Sequence, residues 1–425
     1  MDRRRFFTAA GATTALVALA AERAPADDSG ATAKSHFDAG TVKAMRERIR
    51  PIAADEYRAR REKARRLMKD HAVDAIFVEG GTSLAYFTGL HWWLSERLFA
   101  MVLPQKGEPF FVSPKFEEGR AREKLGNDVT FYTWEEHEKP IDRIRQGMQD
   151  RGLLTSTLGI EETTRYYAVE QLQQQLSTLN LRSATPVTAG CRSVKSAHEI
   201  ELMQIANDIT AQVYTEAQRQ LREGMSEREL SAIISGLYRE FGVEGDAMVL
   251  FGEASAYPHG LKRDVLLRPG DIVLIDDGCE VEGYGSDITR TMVFGQPSAK
   301  MRSVFEIVRG AQDAALKAAR PGVSAEKVDA AARSYIADHG YGPGYKYFTH
   351  RLGHGIGMDG HEWYYLVGGN TRPLAPGNLF SNEPGIYIVG EFGIRTEDEM
   401  LITEDGARLL LPQAKSLQEI FGQGI

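Results

Sequence analysis

The sequence predicts an α/β chain of two domains: a mixed-sheet α/β unit, then a larger α+β unit built on antiparallel hairpins. Three observations predict it. Short apolar runs alternate with helical periodicity over residues 56–134, the pattern of a mixed sheet flanked by helices. Pro186, Gly190 and a run of small polar residues break that pattern over residues 185–196, which reads as a domain boundary. Beyond it, helical stretches alternate with glycine-punctuated hairpins that carry acidic residues where strands ordinarily exclude them.

Residues 1–26 stand apart. Arg3, Arg4 and Arg5, then Phe6 and Phe7, precede an alanine-rich apolar run, and Ala24-Pro25-Ala26 offers a small-x-small cleavage site. This is export-signal architecture of the twin-arginine type, which places the mature chain in the periplasm or outside the cell. The run is too short for a membrane span, so no stable anchor is expected after cleavage. Residues 27–50 read as a loose polar lead-in. Residues 51–190 make the first domain. A basic helix over 57–69 leads into apolar, strand-like segments at 74–80, 85–89, 98–104 and 109–113. A helix over 115–125 and a strand at 129–134 follow.

Residues 191–425 make the second domain. A long helix spans 197–221. Ser226 and Glu229 form a capping box for the next, whose inner face is Leu230, Ile233, Ile234 and Leu237. Helices over 298–319 and 324–339 come after the first acidic hairpin. The net charge of −8 argues against nucleic acid as a partner. Cys191 and Cys279 are too few for a disulfide framework or a cysteine-rich zinc site. Cys279 reads as a small buried apolar residue.

The acidic hairpins carry the chemistry. LIDDGCEVEGYGSDITRT, residues 274–291, places Asp276 and Asp287 on two strands. A loop over 280–283 sets them opposite each other, with Cβ atoms roughly 4.5–5.5 Å apart. Two bare carboxylates so placed do not both ionise cheaply, and a divalent cation between them removes the penalty. SNEPGIYIVGEFGIRTEDE, residues 381–399, repeats the device, with Glu383 and Glu397 about equally far from the turn at Gly390. Between the hairpins, THRLGHGIGMDGHE holds His354 between two glycines, which let the backbone approach a ligand closely. Those glycines disfavour a helix, so His354 and His361 need not share a helical face. One imidazole with several carboxylates suits Mn²⁺ or a similar first-row ion better than a structural zinc. The negative charge fits two cations ~3.5–4 Å apart that share bridging carboxylates and a hydroxide. Taken singly, Asp276 or Asp277 suits a turn, Glu383 a loop cap and His354 a core. Asp277 and Asp398 fall outside the ligand set, either behind it or exposed. The ordered set is what points to a metal.

The series IDDG, SDITRT, GHGIGMDGHE, EPGIY and GIRTED resembles the pita-bread-fold metallopeptidases, in their Xaa-Pro aminopeptidase and prolidase branch, over roughly residues 192–411. The segment before it, including AYFTG, resembles that branch's N-terminal domain. The resemblance implies a creatinase-like α/β domain ahead of a pita-bread catalytic domain with a curved antiparallel sheet. It implies Asp276, Asp287, His354, Glu383 and Glu397 as metal ligands for two divalent cations, Mn²⁺ first, with Zn²⁺, Co²⁺ or Fe²⁺ as alternatives. A metal-bridging hydroxide would attack the scissile carbonyl, Glu383 would carry the water proton, and His361 would stabilise the oxyanion. His259 (in YPHG), His350 and His361 would face the substrate, in orienting or supporting roles, and Arg395 would buttress the metals. The implied activity is an aminopeptidase or dipeptidase that cleaves small peptides before proline. The implied assembly is a homodimer, with Trp92 and Trp93 at the neighbour or in the core. The N-terminal domain disfavours a methionine aminopeptidase. The complete ligand set disfavours metal-free amidinohydrolases of the creatinase type. A metal-dependent small-molecule hydrolase or lyase is the alternative.

Overall fold

The computed structural model describes residues 36–421; the export-signal segment lies outside them. Residues 36–50 are less loose than the sequence reading has them. Asp38 caps a helix, α1 (Ala39–Arg48), by accepting from the Thr41 backbone N–H at 2.9 Å. Phe37, Val42, Met45 and Ile49 pack that helix onto the core of the second domain. Its apolar face is what ties it down, since its polar surface alone gives no reason to dock.

The first domain is a six-stranded mixed sheet in the order β4-β3-β2-β1-β5-β6. Its strands are β1 (Ala75–Glu79), β2 (Ala100–Pro104), β3 (Phe110–Pro114), β4 (Thr130–Trp134), β5 (Thr157–Ile160) and β6 (Asn180–Ser183). The β1–β2 and β2–β3 pairs are antiparallel and the other three are parallel. Helices α2 (Ala54–Asp70), α3 (Thr82–Thr88), α4 (Glu118–Leu125), α5 (Pro140–Gln149) and α6 (Tyr166–Gln175) join and cover them. The β1 and β2 strands are buried along their whole length, as a sheet covered on both faces requires. The AYFTG segment is a correction: it is α3, with Gly89 (φ +73°) at its left-handed C-cap, and not a strand. Its apolar residues are buried all round, so the alternation that separates strand from helix is lost there.

A short helix, α7 (Thr188–Ser193), leads to the second domain, where α8 (Ala197–Arg219) opens on a full capping box made by Ser196 and Glu199. At α9 (Glu227–Glu240) only half of the predicted box forms. Ser226 accepts from the Glu229 N–H at 3.1 Å, while the Glu229 carboxylate pairs with Arg222. The sheets that follow are antiparallel throughout. One is β10-β8-β7 with β9 beside β8, one is β12-β11-β13-β16-β17, and one is the pair β14-β15. The strands are β7 (Glu244–Phe251), β8 (Ile272–Val281), β9 (Tyr284–Gly285), β10 (Ile288–Val293), β11 (Gly353–Gly355), β12 (Glu362–Leu366), β13 (Leu379–Asn382), β14 (Gly385–Ile388), β15 (Phe392–Arg395), β16 (Asp398–Ile402) and β17 (Ala407–Leu409).

Two cores meet at these sheets. Leu202, Ile209 and Tyr214 of α8 and Leu230, Ile234 and Leu237 of α9 pack with Val273, Ile275 and Cys279 of β8. Val304 and Val308 of α10 (Ala299–Ala318) and Val328 and Ala332 of α11 (Ala325–Ile336) pack with Ile272 and Leu274 of the same strand. Alternate residues of β8 thus enter opposite cores, as the two-residue period of a strand dictates. No helix among the described residues is long and apolar enough to cross a membrane.

Candidate metal centre

Asp276 lies in the middle of β8 and Asp287 just before β10. The sequence reading of this hairpin is corrected in register: Asp276 pairs with Thr289, and not with Asp287. The loop is only Glu282-Gly283, both at positive φ (52° and 79°), because β8 continues to Val281, which pairs with Tyr284. Two-residue turns of this kind match the twist of the flanking strands. Asp287 therefore sits diagonally from Asp276.

His354 is the central residue of β11. Gly353, on its amino side, lies so close to the Ser381 carbonyl that a Cβ there would stand 2.0 Å from the oxygen. Glu383 follows β13 and Glu397 follows β15. Asp287, His354 and Glu397 each offer a ligand atom within 4.8 Å of the others. The His354 Nε2 lies 3.5 Å from Asp287 Oδ2 and 3.4 Å from Glu383 Oε1. Asp276 Oδ2 accepts from Arg395 Nη2 at 2.5 Å, and the Asp276 charge weighs on Asp287, Glu383 and Glu397 alike.

The donor set fits a bound cation. His354 Nδ1 faces the Gly355 carbonyl at 3.0 Å, so Nδ1 carries the proton and the Nε2 lone pair points at two carboxylates. Burial, then the neighbouring His361, holds the His354 pKa down to about 3, so the ring is neutral and cannot donate from Nε2. The carboxyls also resist ionising together. Burial first, then the charge of Asp276, pushes Asp287 well up. Burial, then Asp287, does the same to Glu397, and Glu383 is pushed to about 8, mainly by burial. Lone pairs and negative charges packed this closely are stabilised by a cation.

Side chains behind these groups fix their directions. Thr289 donates to Glu397 Oε2 at 2.6 Å and accepts from Arg395 Nε at 3.0 Å. Ser381 donates to Glu383 Oε1 at 3.1 Å and accepts from the His354 backbone N–H at 3.0 Å. Glu399, fully buried, accepts from the Asp287 backbone N–H and from Asn207, both at 2.9 Å. Asp398 is also buried and pairs with Arg290 at 2.5 Å. Asp277 points into the α8–α9 core, where Tyr238 donates to it at 2.8 Å. Thr289, Ser381 and Glu399 have no assigned role in the sequence reading. Strand alternation, applied from each acidic residue to its neighbours two positions away, is the signal that finds Glu399.

Of the residues expected to face the substrate, His350 is the most enclosed. Its Nδ1 donates to the Arg351 carbonyl and its Nε2 accepts from Tyr387 Oη, both at 2.8 Å. Tyr387 in turn accepts from Arg395 Nη1 at 2.9 Å. Burial, then Arg395, holds His350 down to about 3. His361 stacks on His354 with ring centroids 3.7 Å apart. Its pKa is lowered by burial and then by Arg351. His259 is exposed and forms no hydrogen bond or ion pair through its ring among the described residues. The preceding carbonyl, of Pro258, accepts from Arg395 Nη1 at 3.3 Å. A cleft of about 600 Å³ opens beside the centre, lined by Asp246, Met248, Asp276, Gly278, Asp287 and Met358 among others.

This fold and this donor set define a hydrolytic metalloenzyme with a separate N-terminal domain. Residues 201–404 match the model of metallopeptidase family M24, and residues 60–194 match the creatinase/prolidase N-terminal domain. The chain belongs to that metallopeptidase family and is a hydrolase of the prolidase type, and the family implies divalent metal ions. It is 34% identical over 361 residues to the Xaa-Pro dipeptidase of Pyrococcus furiosus, spanning 84% of this chain and 99% of the relative. It is 34% identical over 369 residues to the Xaa-Pro dipeptidase of Lactobacillus delbrueckii subsp. lactis, spanning 84% and 98%. A dipeptidase from Mycobacterium ulcerans superposes with a TM-score of 0.82 at 32% identity, covering 87% of this chain and 100% of that one. A prolidase from Thermococcus sibiricus superposes at 0.76 and 32%, covering 83% and 96%.

Proposed function

We propose that the protein is an exported dinuclear metallopeptidase that hydrolyses the bond before proline in small peptides, with Asp276, Asp287, His354, Glu383 and Glu397 as its ligands. The observation that carries the metal site is the convergence of the His354 Nε2 lone pair with carboxylates of Asp287 and Glu383 at 3.4–3.5 Å. Relatives named Xaa-Pro dipeptidase support the substrate class. When bound, two divalent cations, Mn²⁺ first, supply Lewis acidity and a water acidic enough to act as hydroxide at neutral pH.

The chain's own groups do the rest. Glu383, oriented by the Ser381 hydroxyl, accepts a proton on its carboxylate and returns it to the leaving nitrogen. His361, its ring uncharged near neutrality, points an N–H at the carbonyl oxygen where negative charge develops. His350 is fixed between Arg351 and Tyr387 and orients the substrate together with His259. Arg395 holds Asp276, Thr289 and Tyr387 at once, which keeps one ligand and the histidine platform in step.

Hydrolysis of alanyl-proline and of a proline-containing tripeptide by Mn²⁺-loaded protein tests the reading. Activity that survives exhaustive chelation would contradict it. Arg3–Arg5, Phe6–Phe7 and Ala24–Ala26 support export. Amino-terminal sequencing of protein from the periplasmic fraction tests that part, and a chain still beginning at Met1 in the cytoplasm would refute it. A homodimer is the expected assembly, as the resemblance implies, and sedimentation velocity checks it.

A further inference from the structure

We propose that the N-terminal domain is a working part of the metal centre: through Arg60 and Thr82 it holds in one register the two loops that carry Asp287 and His361. The inference rests on the functional reading above and adds positioning residues from outside the catalytic domain.

The first loop is the tip of the β8–β10 hairpin. Tyr284, three residues before Asp287, is buried there. It accepts from Arg60 Nη2 and donates to Glu199, both at 2.7 Å. Arg60, on α2, is only 7% exposed. It also pairs with Glu199 at 2.9 Å and donates to the Tyr86 carbonyl at 2.9 Å. One guanidinium thus ties α2, α3, α8 and the hairpin tip together, and a charge this buried persists only when its donors are matched.

The second loop, residues 357–361, ends at His361. The Thr82 hydroxyl, at the start of α3, donates to Asp359 Oδ1 at 2.6 Å. Arg192 takes the other Asp359 oxygen at 2.5 Å. Behind the loop, Glu362 is clasped by Arg192 at 2.7 Å and Lys195 at 2.8 Å, and it accepts from the Met358 N–H at 3.0 Å. The two loops are joined directly, because Gly285 N–H donates to the Gly357 carbonyl at 2.8 Å.

Packing alone does not hold this arrangement. A cavity of about 310 Å³ lies between the loops and the N-terminal domain, lined by Thr82, Trp92, Gly283, Met358 and Asp359 among others. The loops have room to relax into it. What keeps them out is the pair of polar tethers and the bridge between them, together with the Arg192 and Lys195 pairs behind the second loop. Neither Arg60 nor Thr82 is a ligand; each acts through the loop it holds.

The test uses the full chain with Thr82→Val, Tyr284→Phe, the double variant and Thr82→Ser. Each of the first two removes one hydroxyl and little volume, and Tyr284→Phe leaves the Arg60–Glu199 pair intact. Mn²⁺ affinity of the metal-free chain is measured by calorimetry, the Co²⁺-loaded site by its visible absorption, and alanyl-proline hydrolysis by kcat and KM. The double variant is expected to bind Mn²⁺ about tenfold more weakly and to lose about tenfold in kcat, with KM within about twofold of wild type. Its Co²⁺ bands shift, while Thr82→Ser behaves as wild type. Wild type that loads Mn²⁺ and cleaves the dipeptide, beside a double variant that matches it in affinity, spectrum and kcat, overturns the tether alone. So does a Thr82→Ser chain as impaired as Thr82→Val. A wild-type chain that takes up no Mn²⁺ overturns the tether and the functional reading together.

Discussion

Glu383 and Glu397 stand opposite each other in the gap between two ladders that share one register: Asn382 pairs with Asp398 on one side and Gly385 with Arg395 on the other. The hairpin interrupts its backbone pairing only where the two glutamates turn inward. Four fixed neighbours then set where each carboxylate points. This makes Glu383 testable without disturbing the fold, since Ser381 also donates to its Oε1 from the same strand end. Glu383→Gln is expected to keep its circular dichroism spectrum and to lose about 10²–10⁴ in kcat, the usual worth of a positioned proton carrier. Unchanged turnover would assign the proton to another group.

Loss of a ligand should show first in metal content. His354→Ala and Asp287→Ala are expected to emerge with less bound Mn²⁺ per chain than wild type, as read by elemental analysis. For wild type, removing metal leaves buried carboxyls that repel one another. Readdition should therefore raise the unfolding free energy, by about 2.7 kcal/mol per site at a hundredfold excess over Kd. Identical denaturation curves with and without metal would count against the centre.

Glu362 gives a pH prediction away from the ligand carboxylates. Burial alone would raise its pKa, but Lys195 and Arg192 outweigh burial and hold it at about 2. A depressed native value means the contribution is complete above the unfolded pKa of about 4.3 and is lost as pH falls toward the native one. Acid titration of stability should show a loss on the order of 3 kcal/mol in that window. Glu362→Gln should lack this component, and at neutral pH it should be less stable by roughly 3–5 kcal/mol, because Lys195 is left buried without an anionic partner and Arg192 keeps only Asp359.

Arg290 supports the second hairpin from behind. It is fully buried, pairs with Asp398, and donates to the carbonyls of Glu397 at 2.6 Å and Ile420 at 2.7 Å. Arg290→Met is expected to cost roughly 3–5 kcal/mol in urea denaturation, the price of stranding Asp398. The double change Arg290→Met with Asp398→Asn should recover part of that loss. Independent, additive effects would show that the pair is not coupled.

The hairpin around Gly390 is legible in the sequence because the glycine marks its turn and strand counting does the rest. The other acidic hairpin is read with the wrong register for a local reason: Glu282-Gly283 is a weaker turn signal than Asn-Gly or Asp-Gly, so the sequence pattern implies a loop two residues too long and sets Asp276 against Asp287. The AYFTG segment fails differently, since burial on every side erases the period that identifies a helix. Thr289 and Ser381 sit inside quoted motifs, yet their hydroxyls gain meaning only when strands from distant segments meet. Arg60 and Thr82 lie more than a hundred residues from the loops they hold, and no local pattern announces such partners.

Both thiols of the chain are shielded by the fold. Cys191 and Cys279 are both buried, and burial pushes each to about 12, so neither offers an appreciable thiolate at neutral pH. A chain carried into an oxidising compartment would therefore resist adventitious cross-linking without any disulfide of its own. It also contains a built-in clock: a thiol-reactive dye should label it only as fast as the native structure opens.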